Sequence, residues 1–343
     1  TLFRSYGDDL QLQEWLEELI WPAEARLTDT DVYWGTRLAA LEMVRSGTTH
    51  FFDMYWHPAA VARAADDAGI RATVGAPLFD GANPAGLSAL RDAAVSSLDE
   101  LADFGPLVTP SLTPHALYTV SRPSLEFVAG LAAERDLLIH LHLSETIREV
   151  EAWMAGHDTR PAIHADELGL LGPKTLLAHG CHLDDDELAV IAERGATIVT
   201  NPVSNLKLAS GGTLPYPRAR AHGVAVGLGT DGASSNNSLD LLADMKVFAL
   251  IQKHLAYDPT VAPAAEVLAI AQGRHSALLG GRPVAVGEPA DVLLVDTGQP
   301  ALNPGPLVDN LVYAGSGAVV DTTVVAGRVV MRHRHVEGAE EVV

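Results

Sequence analysis

The chain has 343 residues, of which 48 % are hydrophobic and 20 % are charged, and its formal net charge is −21. A chain of this length and composition can bury a large core, and it suits one α/β barrel with a modest additional unit. The negative charge argues against a nucleic-acid partner, because phosphate binding needs a basic surface. No apolar run reaches the roughly 18 residues of a membrane-spanning helix. Since the single cysteine, Cys181, allows no disulfide framework, we expect a cytoplasmic protein.

The predicted elements alternate between helix and strand along the chain. A helical pattern over Leu10–Arg26 comes first. The predicted strands are short apolar runs at Thr48–Tyr55, Ala72–Phe79, Leu107–Thr113, Leu137–Leu143, Thr175–His179, Thr197–Asn201 and Val224–Gly229. Amphipathic helical stretches lie between or after them, at Pro58–Ala68, Pro84–Phe104, Arg122–Arg135, Thr146–Ala155, Asp184–Glu193 and Leu239–Leu255. Continuous apolar strands separated by helices are typical of a parallel sheet buried on both faces, so the pattern predicts a βα barrel.

Seven strands are predicted, whereas a closed barrel of this kind has eight. The helix at Leu10–Arg26 should itself follow a strand. We therefore expect a (β/α)8, TIM-like barrel that lacks its first strand, with that strand belonging upstream of Thr1. Loss of a strand exposes two sheet edges, so we expect the chain to aggregate or to pair with itself.

The pattern changes after residue 282. Short strands are predicted at Pro289–Asp296, Leu311–Ala314 and Thr322–Met331, with intervening turns that contain proline and glycine. This spacing predicts part of a small β-sandwich domain at the C-terminus. We therefore divide the chain into the barrel, residues 1–282, and the C-terminal part of the small β domain, residues 283–343.

Potentially reactive side chains stand at the ends of several predicted strands. They are His115, His140, His142, Glu145, His179 and Asp231. Each is weak alone, because a histidine in an apolar strand is more often a core residue and an aspartate between glycines is more often a turn residue. His140 and His142 share one face of their strand, and spacing does not decide which of them binds metal. Because the C-terminal strand ends form the active face of a βα barrel, the set predicts metal-assisted hydrolysis of a carbon–nitrogen bond.

Several blocks of the sequence resemble the amidohydrolase superfamily. They are Trp21-Pro22-Ala23-Glu24, His142-Leu143-Ser144-Glu145-Thr146, Ala178-His179-Gly180, Asn201-Pro202-Val203-Ser204-Asn205-Leu206-Lys207 and Gly229-Thr230-Asp231-Gly232-Ala233-Ser234-Ser235-Asn236-Asn237. The resemblance is strongest to its 5′-methylthioadenosine/S-adenosylhomocysteine deaminase branch and runs the whole length of the chain.

The resemblance implies a role for each matching residue. His142 and Asp231 would bind one divalent metal, zinc in preference to iron, and Asp231 would also accept a proton. Glu145 would contact the substrate and carry a proton to the purine N1, and His179 would polarise the attacking water. Glu24 would hold the ribose hydroxyls.

The resemblance also places Trp15 in the lining of the pocket and His115 against the substrate. The implied reaction converts an adenine nucleoside, namely 5′-methylthioadenosine, S-adenosylhomocysteine or adenosine, into its inosine analogue and ammonia. Family members are usually oligomers, so we expect a homo-oligomer.

One departure from the family bears on activity. The family has a His-x-His pair, which supplies two metal ligands, upstream of the residues that match Thr1-Leu2-Phe3-Arg4. Two ligands remain, against the three or more of a catalytic zinc site, so we expect the chain as given to bind metal poorly and to be weakly active or inactive.

Two alternatives stay open. The first is a deaminase or hydrolase of another purine or of an s-triazine, against which Glu24 favours a ribose-bearing substrate. The second is a non-catalytic, fold-retaining relative that binds a nucleoside without converting it. Glu145, His179 and Asp231 argue against this second alternative.

Overall fold

The computed structural model describes residues 1–342, which are built around a curled parallel sheet. Its strands are β1 (His50–Met54), β2 (Arg71–Gly75), β3 (Pro77–Leu78), β4 (Val108–Pro114), β5 (Leu138–Leu143), β6 (Thr175–His179), β7 (Thr197–Thr200) and β8 (Ala225–Leu228). The strands pair in the order β1-β2-β4-β5-β6-β7-β8, and the two-residue β3 pairs with β4 just beyond β2. Every pairing in this sheet is parallel. The strand alternation predicted from the sequence is confirmed.

Helices separate the strands along the chain. Their bounds are Leu12–Glu14, a π-helical turn at Trp15–Ile20, Trp21–Glu24, Asp29–Ser46, Pro58–Ala68, Leu87–Leu101, Arg122–Arg135, Ile147–Gly156, Pro161–Glu167, Asp185–Arg194, Pro202–Lys207, Tyr216–Ala221, Ala233–Asn236, Leu241–Ala256 and Ala264–Ala271. The helix at Asp29–Ser46 is not among those predicted above. A capping box formed by Thr28 and Asp31 starts it, and Gly47 ends it in the left-handed region with φ +92°.

The sheet is open between β8 and β1. Within residues 1–342 no backbone pairing joins these two strands, so each is an edge of the sheet. A cavity of about 990 Å³ runs through the opening, from Arg71 at the start of β2 to Asp231 just after β8. If the two-residue β3 is counted as a continuation of β2, the barrel has seven strands. The protein therefore has a TIM-like barrel that lacks one strand, as predicted.

A small antiparallel sheet follows the barrel. Its strands are β9 (Val292–Val295), β10 (Val320–Val325) and β11 (Arg328–Met331), in the order β11-β10-β9. The strand predicted at Leu311–Ala314 is wrong, because this segment belongs to a helix at Leu307–Tyr313. Apolar residues recur there at intervals of four, which buries Leu311 and Val312 on one helical face.

The small sheet and the barrel share one core. Val320 and Met331 of the small sheet belong to the same buried cluster as Val44 and Val74 of the barrel. An ion pair adds a polar link, because Arg71 Nε lies 2.7 Å from Asp291 Oδ2. Within residues 1–342 no helix is long and apolar enough to cross a membrane.

Candidate active site

The candidate active site lies at the carboxyl ends of β4, β5, β6 and β8. The parallel register of β5 and β6 sets His142 beside Ala178, and Leu143 beside His179. The rings of His142 and His179 have centroids 5.5 Å apart and an interplanar angle of 24°. Both rings, together with Asp231, line the cavity. Side chains that are far apart in the sequence therefore share one space.

A backbone carbonyl fixes the orientation of His142. Its Nδ1 lies 2.9 Å from the carbonyl oxygen of His115 and must donate, because a carbonyl only accepts. The lone pair is consequently on Nε2, the arrangement that a metal-binding histidine needs. His140 has no comparable anchor, because its buried Nδ1 makes no hydrogen bond to the described residues 1–342.

Two asparagines determine which nitrogen of His179 carries the proton. Asn205 Nδ2 donates to His179 Nδ1 at 2.9 Å, and Asn201 Nδ2 lies 3.4 Å from the same atom. The proton of neutral His179 therefore resides on Nε2, and burial lowers the pKa of the ring. That Nε2 lies 3.9 Å from Oε1 of Glu145. A small oxygen species between the two side chains would receive a hydrogen bond from His179.

Glu145 is suited to moving a proton at neutral pH. Burial raises its pKa to about 7, an effect that His142 opposes and Asp231 reinforces. The neighbouring Glu149 holds the turn that carries it, because Glu149 oxygens accept from the backbone N–H groups of Ser144 at 3.1 Å and Glu145 at 2.8 Å. A carboxyl group with a pKa near 7 can both give and take a proton.

Asp231 is held by donors on both carboxylate oxygens. Oδ2 accepts from the hydroxyls of Ser204 at 2.6 Å and Ser235 at 2.9 Å, and Oδ1 accepts from the Gly232 N–H at 2.8 Å. Burial works to raise the pKa of this carboxyl group, but His179, Ser204 and the Gly232 N–H together lower it. Asp231 is therefore a carboxylate at neutral pH.

The backbone is strained at three strand ends of the site. Ser144, His179 and Asp231 have φ values of +50°, +75° and +60°. A residue other than glycine in this left-handed region costs about 1–3 kcal/mol and persists where the surroundings enforce it. Such strain also occurs elsewhere in the chain, but at these strand ends it falls on or next to the reactive residues.

The remaining predicted residues fall in three different places. Glu24 lines the same cavity, and its Oε2 accepts from the indole N–H of Trp56 at 3.2 Å. His115 has its ring centroid 4.9 Å from that of His142. Trp15 does not line the cavity, because its buried indole donates to the carbonyl of Tyr6 at 3.0 Å. A different tryptophan, Trp56, contacts the cavity-lining Glu24.

Sequence reasoning missed the residues that position this site. They are Glu149, Asn201, Ser204, Asn205, Ser235 and Trp56. For Glu149 a signal existed, since Thr146-Ile147-Arg148-Glu149 has the spacing of a capping box. Ser204 and Asn205 stand in a block that carries the resemblance, but nothing in their spacing indicates what they contact.

The residues that fit a metal are His142 and Asp231. A neutral imidazole with a free Nε2 and a carboxylate are both ligands that zinc accepts. Within residues 1–342, however, no group of three or more His, Cys, Asp or Glu side chains is arranged to hold a metal. The donors have the right chemistry, but they fall short of the three protein ligands of a catalytic zinc site.

Comparison with known proteins shows the family that the chain matches. Residues 1–330 match the amidohydrolase family. The chain is 46 % identical to a 5′-deoxyadenosine deaminase of Methanoregula boonei, over all of this chain and 78 % of the relative. It is 44 % identical to 5-methylthioadenosine/S-adenosylhomocysteine deaminase 1 of Archaeoglobus fulgidus, over 96 % of this chain and 79 % of the relative.

A solved structure has the same fold. An adenosine deaminase from Xanthomonas campestris with bound zinc superposes with a TM-score of 0.90 at 33 % identity, and the match covers 99 % of this chain and 80 % of that one. The match to the family spans both the curled parallel sheet and most of the small antiparallel one. The chain belongs to the amidohydrolase family.

Proposed function

We propose that this protein is a metal-dependent aminohydrolase that removes the amino group of an adenine nucleoside and releases the inosine analogue and ammonia. One observation carries the proposal: Glu145 Oε1 lies 3.9 Å from His179 Nε2, and His179 and Asp231 line a cavity that Glu24 also lines. The first three suit proton transfer and water activation, and the fourth suits a ribose. The deaminases among its relatives support the same reaction.

The residues of this chain would divide the reaction between them. Glu145 delivers a proton to the purine N1, which makes the ring carbon that bears the amino group more electrophilic. The Nε2–H of His179 orients the attacking oxygen, and the Asp231 carboxylate accepts its proton. Asp231 then passes this proton to the amino group, which leaves as ammonia, while the hydroxyl proton of the adduct returns to Glu145 and the aromatic ring is restored. The indole of Trp56 holds Glu24, whose carboxylate accepts from the ribose hydroxyls.

His142 and Asp231 would hold the metal, zinc in preference to iron. When bound there, a divalent metal would supply the acidity that converts water into a nucleophile near neutral pH. Within residues 1–342 no group of three or more His, Cys, Asp or Glu side chains is arranged to complete such a site. The zinc content of the 343-residue chain is therefore the first quantity to measure.

The test supplies zinc to the 343-residue chain and to the longest product that its gene encodes. We expect ammonia release from 5′-deoxyadenosine and adenosine in at least the longest product, and little from free adenine. Glu145→Gln should lower kcat by at least about 100-fold, because a neutral amide cannot transfer the proton. Glu151→Gln, on an exposed position of the following helix, should leave kcat unchanged.

Two results would contradict the proposal. Deamination of free adenine as fast as that of the nucleosides would favour the free-base alternative. Tight nucleoside binding without ammonia release in either protein would favour the non-catalytic alternative.

We further infer a cytoplasmic homo-oligomer that binds no nucleic acid, with residues 1–282 as the catalytic unit and residues 283–343 as the C-terminal part of a small β domain. The net charge of −21 supports the absence of a nucleic-acid partner. The buried, unpaired Cys181 is consistent with a reducing compartment.

A further inference from the structure

A row of four aromatic rings extends from Glu24 toward Glu145. This aromatic wall consists of Trp56, Phe79, His115 and Tyr118. Adjacent ring centroids are 5.5, 6.3 and 6.1 Å apart, and each pair meets edge to face at 75–83°. Trp56 anchors one end at Glu24. At the other end Tyr118 lies near enough to Glu149 and Glu145 that, after burial, their charges help to raise the pKa of its hydroxyl.

Phe79 is the only ring of this aromatic wall that carries no hydrogen-bond donor or acceptor. Trp56 donates to Glu24, and His115 Nδ1 lies 2.9 Å from the hydroxyl of Thr119. Phe79 is nevertheless 47 % exposed. An exposed phenyl ring gains free energy when an apolar ligand group covers it.

The charges that line the cavity disfavour a ligand carboxylate. Toward the catalytic ends of the strands the lining includes Glu24, Asp53 and Asp231. Among the lining residues of the described chain, Arg71 and Arg282 are the only permanent cations. Arg71 begins β2, at the opposite end of the barrel, where Asp291 neutralises it. Arg282 is paired with an acid too, because its Nε lies 3.7 Å from Glu288 Oε2. A carboxylate brought into this site would lose water without gaining a cation.

We propose that the aromatic wall, through Phe79, selects adenine nucleosides whose 5′ substituent is small, apolar and uncharged over those that carry an amino-acid group. This inference rests on the proposed function, because ribose hydroxyls at Glu24 and a purine N1 at Glu145 would lay the nucleoside across the wall. A 5′-deoxy or 5′-methylthio group then packs on the phenyl ring. A homocysteinyl group would place its carboxylate in an acidic site that offers it no counter-ion.

Binding of the deaminated products tests the preference without requiring turnover. Calorimetry would compare 5′-methylthioinosine with S-inosylhomocysteine on the longest product that the gene encodes. We expect the methylthio compound to bind at least about tenfold more tightly, the scale of discrimination that apolar pockets reach. Failure to bind either compound would overturn the proposed function itself, whereas equal affinities would overturn only the selectivity.

Variants of Phe79 separate packing from charge. Phe79→Leu should keep the preference, Phe79→Ala should reduce it several-fold, and Phe79→Lys should favour S-inosylhomocysteine, because it supplies the missing cation. Trp34→Ala, at a similarly exposed aromatic position on the helix Asp29–Ser46, should change nothing. The exposed Arg148, in the first turn of the helix Ile147–Gly156, is the competing carboxylate partner. Selective loss of S-inosylhomocysteine binding in Arg148→Ala would overturn the inference.

Discussion

At the scale of single residues, the hydrogen bond that one ring nitrogen of a histidine makes determines whether the other nitrogen can bind a metal or donate a proton. His142 and His140 lie two residues apart on one strand, and spacing cannot distinguish them. The carbonyl of His115 makes the distinction, because it fixes the proton of His142 on Nδ1 and leaves Nε2 free. His140 Nδ1 has no such partner among residues 1–342.

Zinc affinity should therefore separate the two histidines. We expect His142→Ala to weaken zinc binding by at least about 100-fold, because the loss of a ligand should exceed the 10–100-fold effect of losing an outer partner. His140→Ala should weaken it by less than about threefold. Competition with a chromophoric chelator measures both. An equal loss in the two variants would contradict the assignment of His142 as the ligand.

The reactive residues of the site could be predicted from the sequence, whereas the residues that hold them in position could not. His142, Glu145, His179 and Asp231 stand at strand ends, so the barrel pattern alone brings them to one edge. Trp15 illustrates the limit of this reasoning. Local sequence cannot show that its indole points to Tyr6 while Trp56, more than 30 positions later in the chain, contacts Glu24.

At the scale of elements, the barrel strands lie close to their predicted positions, whereas the C-terminal region departs from its predicted secondary structure. Buried parallel strands are short apolar runs with sharp ends, so their positions can be predicted from the sequence. The segment at Leu311–Ala314 also reads as a short apolar strand. It is a helix because its apolar side chains pack against Leu242 and the neighbouring helices, a contact made only in the folded chain.

The helix at Leu241–Ala256 buries an acid that should make stability depend on pH. Asp244 accepts from Asn236 Nδ2 at 3.0 Å, and the same amide donates to the carbonyl of Thr230 at 2.7 Å, next to Asp231. Burial raises the pKa of Asp244 to about 7, and Asp240 adds to the effect. The folded protein therefore keeps a proton that the unfolded chain releases near pH 4.

The raised pKa of Asp244 should make the folded protein less stable as pH rises. Between about pH 4 and about pH 7 the folded state binds more protons, so the free energy of unfolding falls as pH rises, by at most about 1.4 kcal/mol per pH unit. Asp244→Asn should flatten this slope, whereas Asp92→Asn, at an exposed position, should not. Urea midpoints across this range measure it. An unchanged slope in Asp244→Asn would assign the proton to another group.

At the scale of the whole molecule, the main structural feature is the open side of the barrel, where two strand edges are unpaired. β1 and β8 present unpaired backbone groups to a cavity of about 990 Å³. The small sheet has a free edge of its own at β11. Unpaired strand edges favour pairing with another chain, which is why natural edges are usually short, charged or covered.

The edge of β1 should therefore control how the 343-residue chain self-associates. Light scattering after gel filtration should find dimers or larger species whose fraction rises with protein concentration. Phe52→Lys should reduce this association, because a charged side chain on an edge strand opposes pairing. Val329→Lys, on the edge strand of the small sheet, should leave it unchanged if β1 is responsible. A monodisperse, cooperatively melting monomer would show instead that the cavity between β8 and β1 does not expose edges capable of pairing, and the stability of the chain would then rest on the core that joins the barrel to the small sheet.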